Sequence, residues 1–245
     1  MTQPPLPHKT RYWARTEDRQ RVVNGLFDRA AAHYDRACDV MSLWSGRTYR
    51  REALERAGLR DGMEVLDVGT GTGQLALQAV SLIGPYGRVT GVDPSFKMMA
   101  AARNALDVFF VQGLGERLPF PDSRFDFITM AYALRHVSDL DLMFREYLRV
   151  LRPGGRVLVL ELTKPDSVPA MTMAQLYFGA LVPWLVGALT RSADAVQLMR
   201  FYWDTILECV PPEAVLTALC RTGFATPRRA VIRGIFSEYT ATRTP

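Results

Sequence analysis

The stretch EVLDVGTGTGQ at residues 64–74 constrains the fold more than any other part of the chain. A short apolar run ends at Asp67–Val68, a helix-forming run starts near Gln74, and glycines occupy 69, 71 and 73 between them. Glycines at a strand-to-helix turn permit a tight reversal and let backbone N–H groups approach a ligand. The same alternation then repeats. GRVTGVD, DVFFVQG, RFDFITMAYAL and GGRVLVLEL read as further strands, separated by GQLALQAVSLIG, PSFKMMAAARNAL and DLDLMFREYLRVL as helices. Strands that alternate with helices build βαβ units and a parallel sheet covered on both faces. PRRAVIR and IFSEYTATR, joined tightly at Gly234, predict an antiparallel hairpin at one end of that sheet. The expected class is therefore α/β: a Rossmann-like, mostly parallel sheet with helices on both faces, a C-terminal antiparallel hairpin and a helical cap.

The cap is expected from two segments that break the alternation. Residues 21–60 have a helical pattern from Val22 to about Ala57, and 166–203 form an insertion rich in Met, Leu, Phe, Tyr and Trp. Residues 1–20, with Pro4, Pro5 and Pro7, read as a flexible lead-in to a single domain spanning 21–245. A hydrophobic share of 48% supports a substantial core. The most apolar stretch, LYFGALVPWLVGAL (176–189), is too short for an ordinary membrane span; it suits a core helix, a cover over an apolar substrate or a membrane surface. Cys38, Cys209 and Cys220 have no metal-type spacing, so no metal is expected, and they fit a reducing cytoplasm. The net charge of +5 rests on arginine, with only Lys9, Lys97 and Lys164 as lysines, and reads as solvated surface.

The second strand ends in Asp93, 20 residues beyond Gly73, where an acid can accept hydrogen bonds from both hydroxyls of a ribose. The loop is G-x-G-x-G and not the dinucleotide G-x-G-x-x-G, and Asp67 at its approach repels a pyrophosphate but attracts an ammonium. A ligand with a ribose, an amino-acid ammonium and no phosphate satisfies both acids. S-adenosylmethionine is such a ligand.

VLDVGTGTGQ, GVDPSFKMMAAAR, GERLPFPDSRFD and EYLRVLRPGGRVLVLE together resemble a class I S-adenosylmethionine-dependent methyltransferase over residues 64–162. That resemblance implies that Asp67 and the loop Gly69, Thr70, Gly71, Thr72 and Gly73 hold the methionine end. It implies further that Asp93 binds the ribose, with Pro94, Met98, Leu114 and Gly115 beside the adenine and Ala131 next to the cofactor. Relatives usually carry Asp or Asn where this chain has Leu114.

LFDRAAAHYDRACDVMSLWSGRTYRR, ALRHVSD and LELTKP narrow the resemblance to the ubiquinone/menaquinone biosynthesis C-methyltransferases, over roughly residues 22–165. That family methylates a ring carbon of a prenylated hydroquinone, a step that needs a base for the phenolic proton. The resemblance assigns Tyr34 and Arg135 to the substrate end, and His136 stands where those enzymes have Asn. The region DAVQLMRFYWDTI departs from the quinol enzymes, with only Tyr202 and Trp203 in place. The expected substrate is thus an apolar phenol or quinol, for a cytoplasmic enzyme with peripheral membrane contact left open. A methyltransferase of another small molecule is the alternative. A nucleic-acid enzyme is disfavoured, because AYALRH replaces the Asn/Asp-Pro-Pro-Tyr run used on exocyclic base nitrogens. A non-catalytic, partner-binding relative also fits the pattern, and oligomeric state is not legible.

Overall fold

A computed structural model describes residues 12–103 and 106–245. Residues 1–11 of the expected lead-in, and Asn104 and Ala105 of the second expected helix, lie outside the described residues. Seven strands form one sheet in the order β3-β2-β1-β4-β5-β7-β6. They are β1 (Glu64–Val68), β2 (Arg88–Asp93), β3 (Phe109–Gln112), β4 (Phe125–Ala131), β5 (Leu151–Leu162), β6 (Ala225–Ile232) and β7 (Phe236–Thr242). The first five are mutually parallel, and β7 runs antiparallel between β5 and β6. The Rossmann-like architecture with its C-terminal hairpin is therefore present.

Three helices lead into the sheet: α1 (Arg19–Ala30), α2 (Tyr34–Met41) and α3 (Gly46–Arg56). The single helical run expected over 22–57 is thus interrupted twice. A 3-10 turn at Ala31–His33 breaks it first, and left-handed backbone at Leu43 and Trp44 breaks it again. Between strands lie α4 (Gln74–Ile83), α5 (Phe96–Arg103) and α6 (Leu140–Val150), and α10 (Pro212–Thr222) precedes the hairpin. Asp139 caps α6 by accepting from the N–H groups of Asp141 and Leu142. Strand β4 stops at Ala131 because Tyr132 takes a φ of +60°, which cannot continue a strand.

Period-two alternation divides the core between the two faces of the sheet. Leu66, Val68, Ile128, Met130, Val157 and Val159 face α6 and α10. Val65, Phe127, Leu158 and Leu160 face α3 and α4. Above the carboxyl ends of the strands lies a third cluster, in which Val23, Leu26, Val40, Val186, Leu198 and Phe201 join α1 and α2 to the cap. The cap consists of α7 (Val168–Ala174), a π-helical stretch (Gln175–Leu181), α8 (Val182–Thr190) and α9 (Ala193–Glu208).

Two expectations about these outer segments need correction. The 12–20 part of the lead-in is packed, not loose: Trp13 is buried beside Phe201, and Arg19 donates to the carbonyls of Arg135 and Val137. The apolar stretch is also longer than expected. Ser167 caps α7, and one helical run of 23 residues, Val168–Thr190, reaches a length that would span a membrane.

Candidate active site

A cavity opens at the carboxyl ends of β1, β2 and β4, where the strand order reverses between β1 and β4 and open α/β sheets bind ligands. Its floor is the glycine loop. Gly69 and Gly73 have φ of +67° and +82°, and a Cβ there would stand 2.7 Å from Ala133 and 2.6 Å from Leu106. Only glycine lets this turn close on its neighbours. Gly71 donates its N–H to Asp93 Oδ2 at 2.8 Å, and Ser95 N–H donates to Oδ1 at 2.8 Å. Burial pushes the Asp93 carboxyl up to about 6, against the downward pull of those two bonds.

Gly69, Gly71, Asp93, Pro94, Met98, Leu114, Gly115 and Ala131 all line this cavity. Asp67 does not. Its carboxylate lies one layer below the loop and accepts from the hydroxyls of Thr70 and Thr129, both at 2.7 Å. Burial raises it to about 6, opposed by those hydroxyls. The direct ammonium contact expected of Asp67 is therefore corrected to a brace beneath the loop. Thr70, Thr72 and Gly73 are likewise structural neighbours of the cavity and not its wall: Thr72 donates to Asp35, as does Gln74. Ser95 donates to Asp28 of α1. The N-terminal helices are thereby pinned across the mouth of the cleft at two points.

The roof is aromatic. Phe27 and Tyr34 come from the N-terminal helices, and Tyr202 from α9. The Tyr34 and Tyr202 hydroxyls are 2.7 Å apart. His136 meets Phe27 edge-on at 5.5 Å between centroids and stacks on Phe201 at 5.4 Å. Neither of its ring nitrogens has a hydrogen-bond partner among the described residues. Burial, and after it the charges of Arg135 and Arg19, hold the imidazole well below its usual range, so it is neutral.

Arg135 and His136 share a 3-10 turn, Leu134–His136, that sends the two side chains different ways. Arg135 is fully buried, bonded to Glu161 of β5, and donates from Nε to Thr205 at 3.0 Å. Its guanidinium lies 4.6 Å from the Tyr202 ring centre. A lone buried guanidinium is costly, and Glu161 supplies its countercharge through Nη1, while Nη2 has no hydrogen-bond partner among the described residues. The expected placement of Arg135 against substrate is accordingly corrected: it lies behind the wall, beneath Tyr202. His136 and Tyr34 do face the cavity.

Three contributors carried no sequence signal. Glu161 and Thr205 are 26 and 70 residues from the arginine they hold. Arg50 is buried on α3 with its guanidinium 5.5 Å from the Tyr132 ring centre, and no carboxylate bonds to it among the described residues. Only the helical periodicity of RTYRREAL could have marked Arg50 as inward-facing.

The geometry has close counterparts. The model of the ubiE/COQ5 methyltransferase family matches residues 14–228. The chain is 39% identical over 190 residues to the ubiquinone/menaquinone biosynthesis C-methyltransferase UbiE of Shewanella halifaxensis, covering 75% of this chain and 76% of that one. It is 37% identical over 189 residues to the enzyme of the same name from Hahella chejuensis, covering 74% and 76%. Among solved structures, an S-adenosylmethionine-dependent methyltransferase from Thermotoga maritima shares the fold with a TM-score of 0.63, at 19% identity over 90% of this chain and 99% of that one.

Proposed function

The chain belongs to the ubiE/COQ5 methyltransferase family and is an S-adenosylmethionine-dependent methyltransferase of a small molecule; from that premise we propose that its acceptor is a prenylated quinol, methylated at a ring carbon. The carrying observation is a neutral, unpartnered His136 that faces a cavity walled by aromatic rings.

The cofactor, when bound, supplies a methyl already activated by its sulfonium. The backbone of Gly69 and Gly71 and the carboxylate of Asp93 are suited to its amino-acid and ribose parts, and the apolar wall at Met98 and Leu114 to its base. What remains for the protein is orientation and one proton transfer. A neutral imidazole accepts the phenolic proton and leaves the adjacent ring carbon nucleophilic. That carbon's own hydrogen then passes as a proton to the ring oxygen, which restores the aromatic phenol, and His136 releases the proton it took to solvent. Tyr34, whose hydroxyl burial raises well above its usual range, remains a donor and orients a ring oxygen together with Tyr202. Arg135 acts as a positioning residue: anchored to Glu161 and Thr205, it fixes the 3-10 turn that presents His136 to the cavity.

The departure of DAVQLMRFYWDTI in the cap from the quinol enzymes favours a second reading, methylation of the oxygen of another phenol. Incubation with labelled cofactor and demethylmenaquinol separates the two. Label on a ring carbon supports the first reading, label on oxygen the second, and transfer to no quinol removes the first.

A cytoplasmic protein resting on a membrane surface suits such an acceptor. Residues 168–190 carry no charged side chain, and Val168, Met173, Leu176, Trp184 and Leu189 stand exposed along that run. Flotation with phospholipid vesicles tests this placement, and a protein that stays wholly in the unbound fraction would remove it.

A further inference from the structure

The first half of the exposed run Val168–Thr190, from Ala170 to Phe178, lines an apolar groove of about 570 Å³, within the roughly 300–1,000 Å³ typical of ligand clefts. Met41 and Leu43 form one side, Ala170 and Met173 another, and Ile235 and Phe236 of the hairpin the third. The groove does not end blindly. Phe178, Arg233 and Phe236 line both it and a smaller inner pocket, which is also lined by Cys38 and the buried Arg50. Tyr132 lines that inner pocket and the cofactor cavity alike. The shared lining residues thus set the groove, the inner pocket and the cofactor cavity in series from the protein surface inward, the inner pocket mixing Tyr49, Leu162, Phe178 and Phe236 with the polar Ser42, Ser45, Arg50 and Arg233.

The details of the cover suit a passage. In the π-helical stretch a widened turn brings both Tyr177 and Phe178 inward. Tyr177 donates to the Met41 carbonyl at 3.1 Å, and Phe178 stacks on Trp203 at 5.9 Å. These contacts hold the helix over the groove by its middle, while its outer face remains exposed. Tyr132 itself sits in left-handed backbone at φ +60°, an unfavourable conformation for a tyrosine that keeps its ring at the boundary between the two chambers.

We propose that this groove binds the isoprenoid tail of the acceptor, which enters beneath the exposed face of Val168–Thr190 and reaches the cofactor cavity past Tyr132. The proposal rests on the reading of the acceptor as a prenylated quinol. It adds a recognition site built from residues 41–45, 165–178 and 233–236, none of which lines the cofactor cavity, with Tyr132 as the residue shared by that cavity and the inner pocket. The occupant is fixed by the lining: the groove walls are mainly hydrocarbon and aromatic, with Arg233 at the rim, which suits a flexible hydrocarbon chain and not an anionic headgroup.

The test uses the full chain and two variants. Ala170→Trp fills the groove from α7, and Met173→Glu places a charge at its exposed edge without entering the core. Farnesol, an isoprenoid alcohol without a quinol head, is titrated into each protein by calorimetry. Turnover is compared for quinols bearing one isoprene unit and several. The proposal expects farnesol to bind the unsubstituted chain and at least tenfold more weakly to both variants. It also expects the ratio of kcat/KM for the long over the short acceptor to fall at least tenfold. Farnesol that does not bind, or that binds all three proteins alike, overturns it, as does an unchanged ratio. If farnesol binds in the expected pattern while no quinol is methylated, the groove stands and the quinol reading fails.

Discussion

The floor and the roof of the cavity are built by different means. The floor is mostly backbone: the loop glycines Gly69 and Gly71, with one carboxylate that accepts two N–H bonds, all within 30 residues of one another. The roof is side chain: Tyr34 and Tyr202, separated by 168 positions, and a histidine held between two phenylalanines. A backbone floor recognises what every cofactor molecule shares, whereas a side-chain roof can be repacked for a new acceptor without disturbing that floor.

The largest expected effect breaks the support of the roof. Glu161→Ala leaves Arg135 buried without its countercharge and should cost about 3–5 kcal/mol, read from urea unfolding. A loss under 1 kcal/mol would mean that water reaches the guanidinium. His136→Ala should lower kcat by roughly 100-fold or more with cofactor affinity retained, the usual scale for a general base. Partial rescue by added imidazole separates proton transfer from packing, and undiminished turnover would make this histidine an aromatic spacer only.

The floor is tested next. Asp93→Ala should weaken the cofactor by about 100-fold, since hydrogen bonds to a charged group contribute about 1.5–3 kcal/mol each. The pH dependence sharpens this. Because burial raises Asp93 and Asp67 to about 6, their contribution to folding is fully present below the ordinary carboxylate range and is lost as pH rises through about 6. Cofactor affinity runs the other way: it needs the ionised carboxylate and should fall about tenfold for each pH unit below 6. A flat calorimetric profile between pH 5 and 7 would contradict the ribose role of Asp93. The smallest effect belongs to Tyr34→Phe, which deletes one hydroxyl pair worth about 1 kcal/mol, or roughly fivefold in turnover. Turnover equal to that of the unsubstituted chain would assign Tyr34 to packing.

The sheet and the floor were legible because their signals are local. A strand, three glycines and an acid at a fixed distance announce a turn that any reader of EVLDVGTGTGQ can place. Even there, spacing could not say that Asp67 would be capped by Thr129, 62 residues on, and so withdrawn from the cavity. The roof was legible only in part. Tyr34 and His136 could be named, but the direction of Arg135 depended on a single 3-10 turn and on Glu161, which reads in sequence as one more residue of a buried strand. The groove beneath α7 was not legible, because it arises where a hairpin tip, a helix end and a cap helix meet, and helical periodicity was the one mark that Arg50 carried. The helix breaks after Ala30 and Met41 were missed because no proline or glycine marks the first, and the second falls on the left-handed pair Leu43–Trp44, residue types that ordinarily avoid that conformation.

The 168 positions between Tyr34 and Tyr202 also have a meaning in time. A ribosome adding about 5–20 residues per second delivers α9 roughly 10–30 seconds after α2 has emerged. Throughout that interval the apolar faces of α1 and α2, with Val23, Leu26 and Val40, lack the partners that later bury them. The sheet can gather its local βαβ units as they appear, but the cover over its carboxyl ends must await α8 and α9. For this chain, assembling the acceptor chamber is among the last events of its own synthesis.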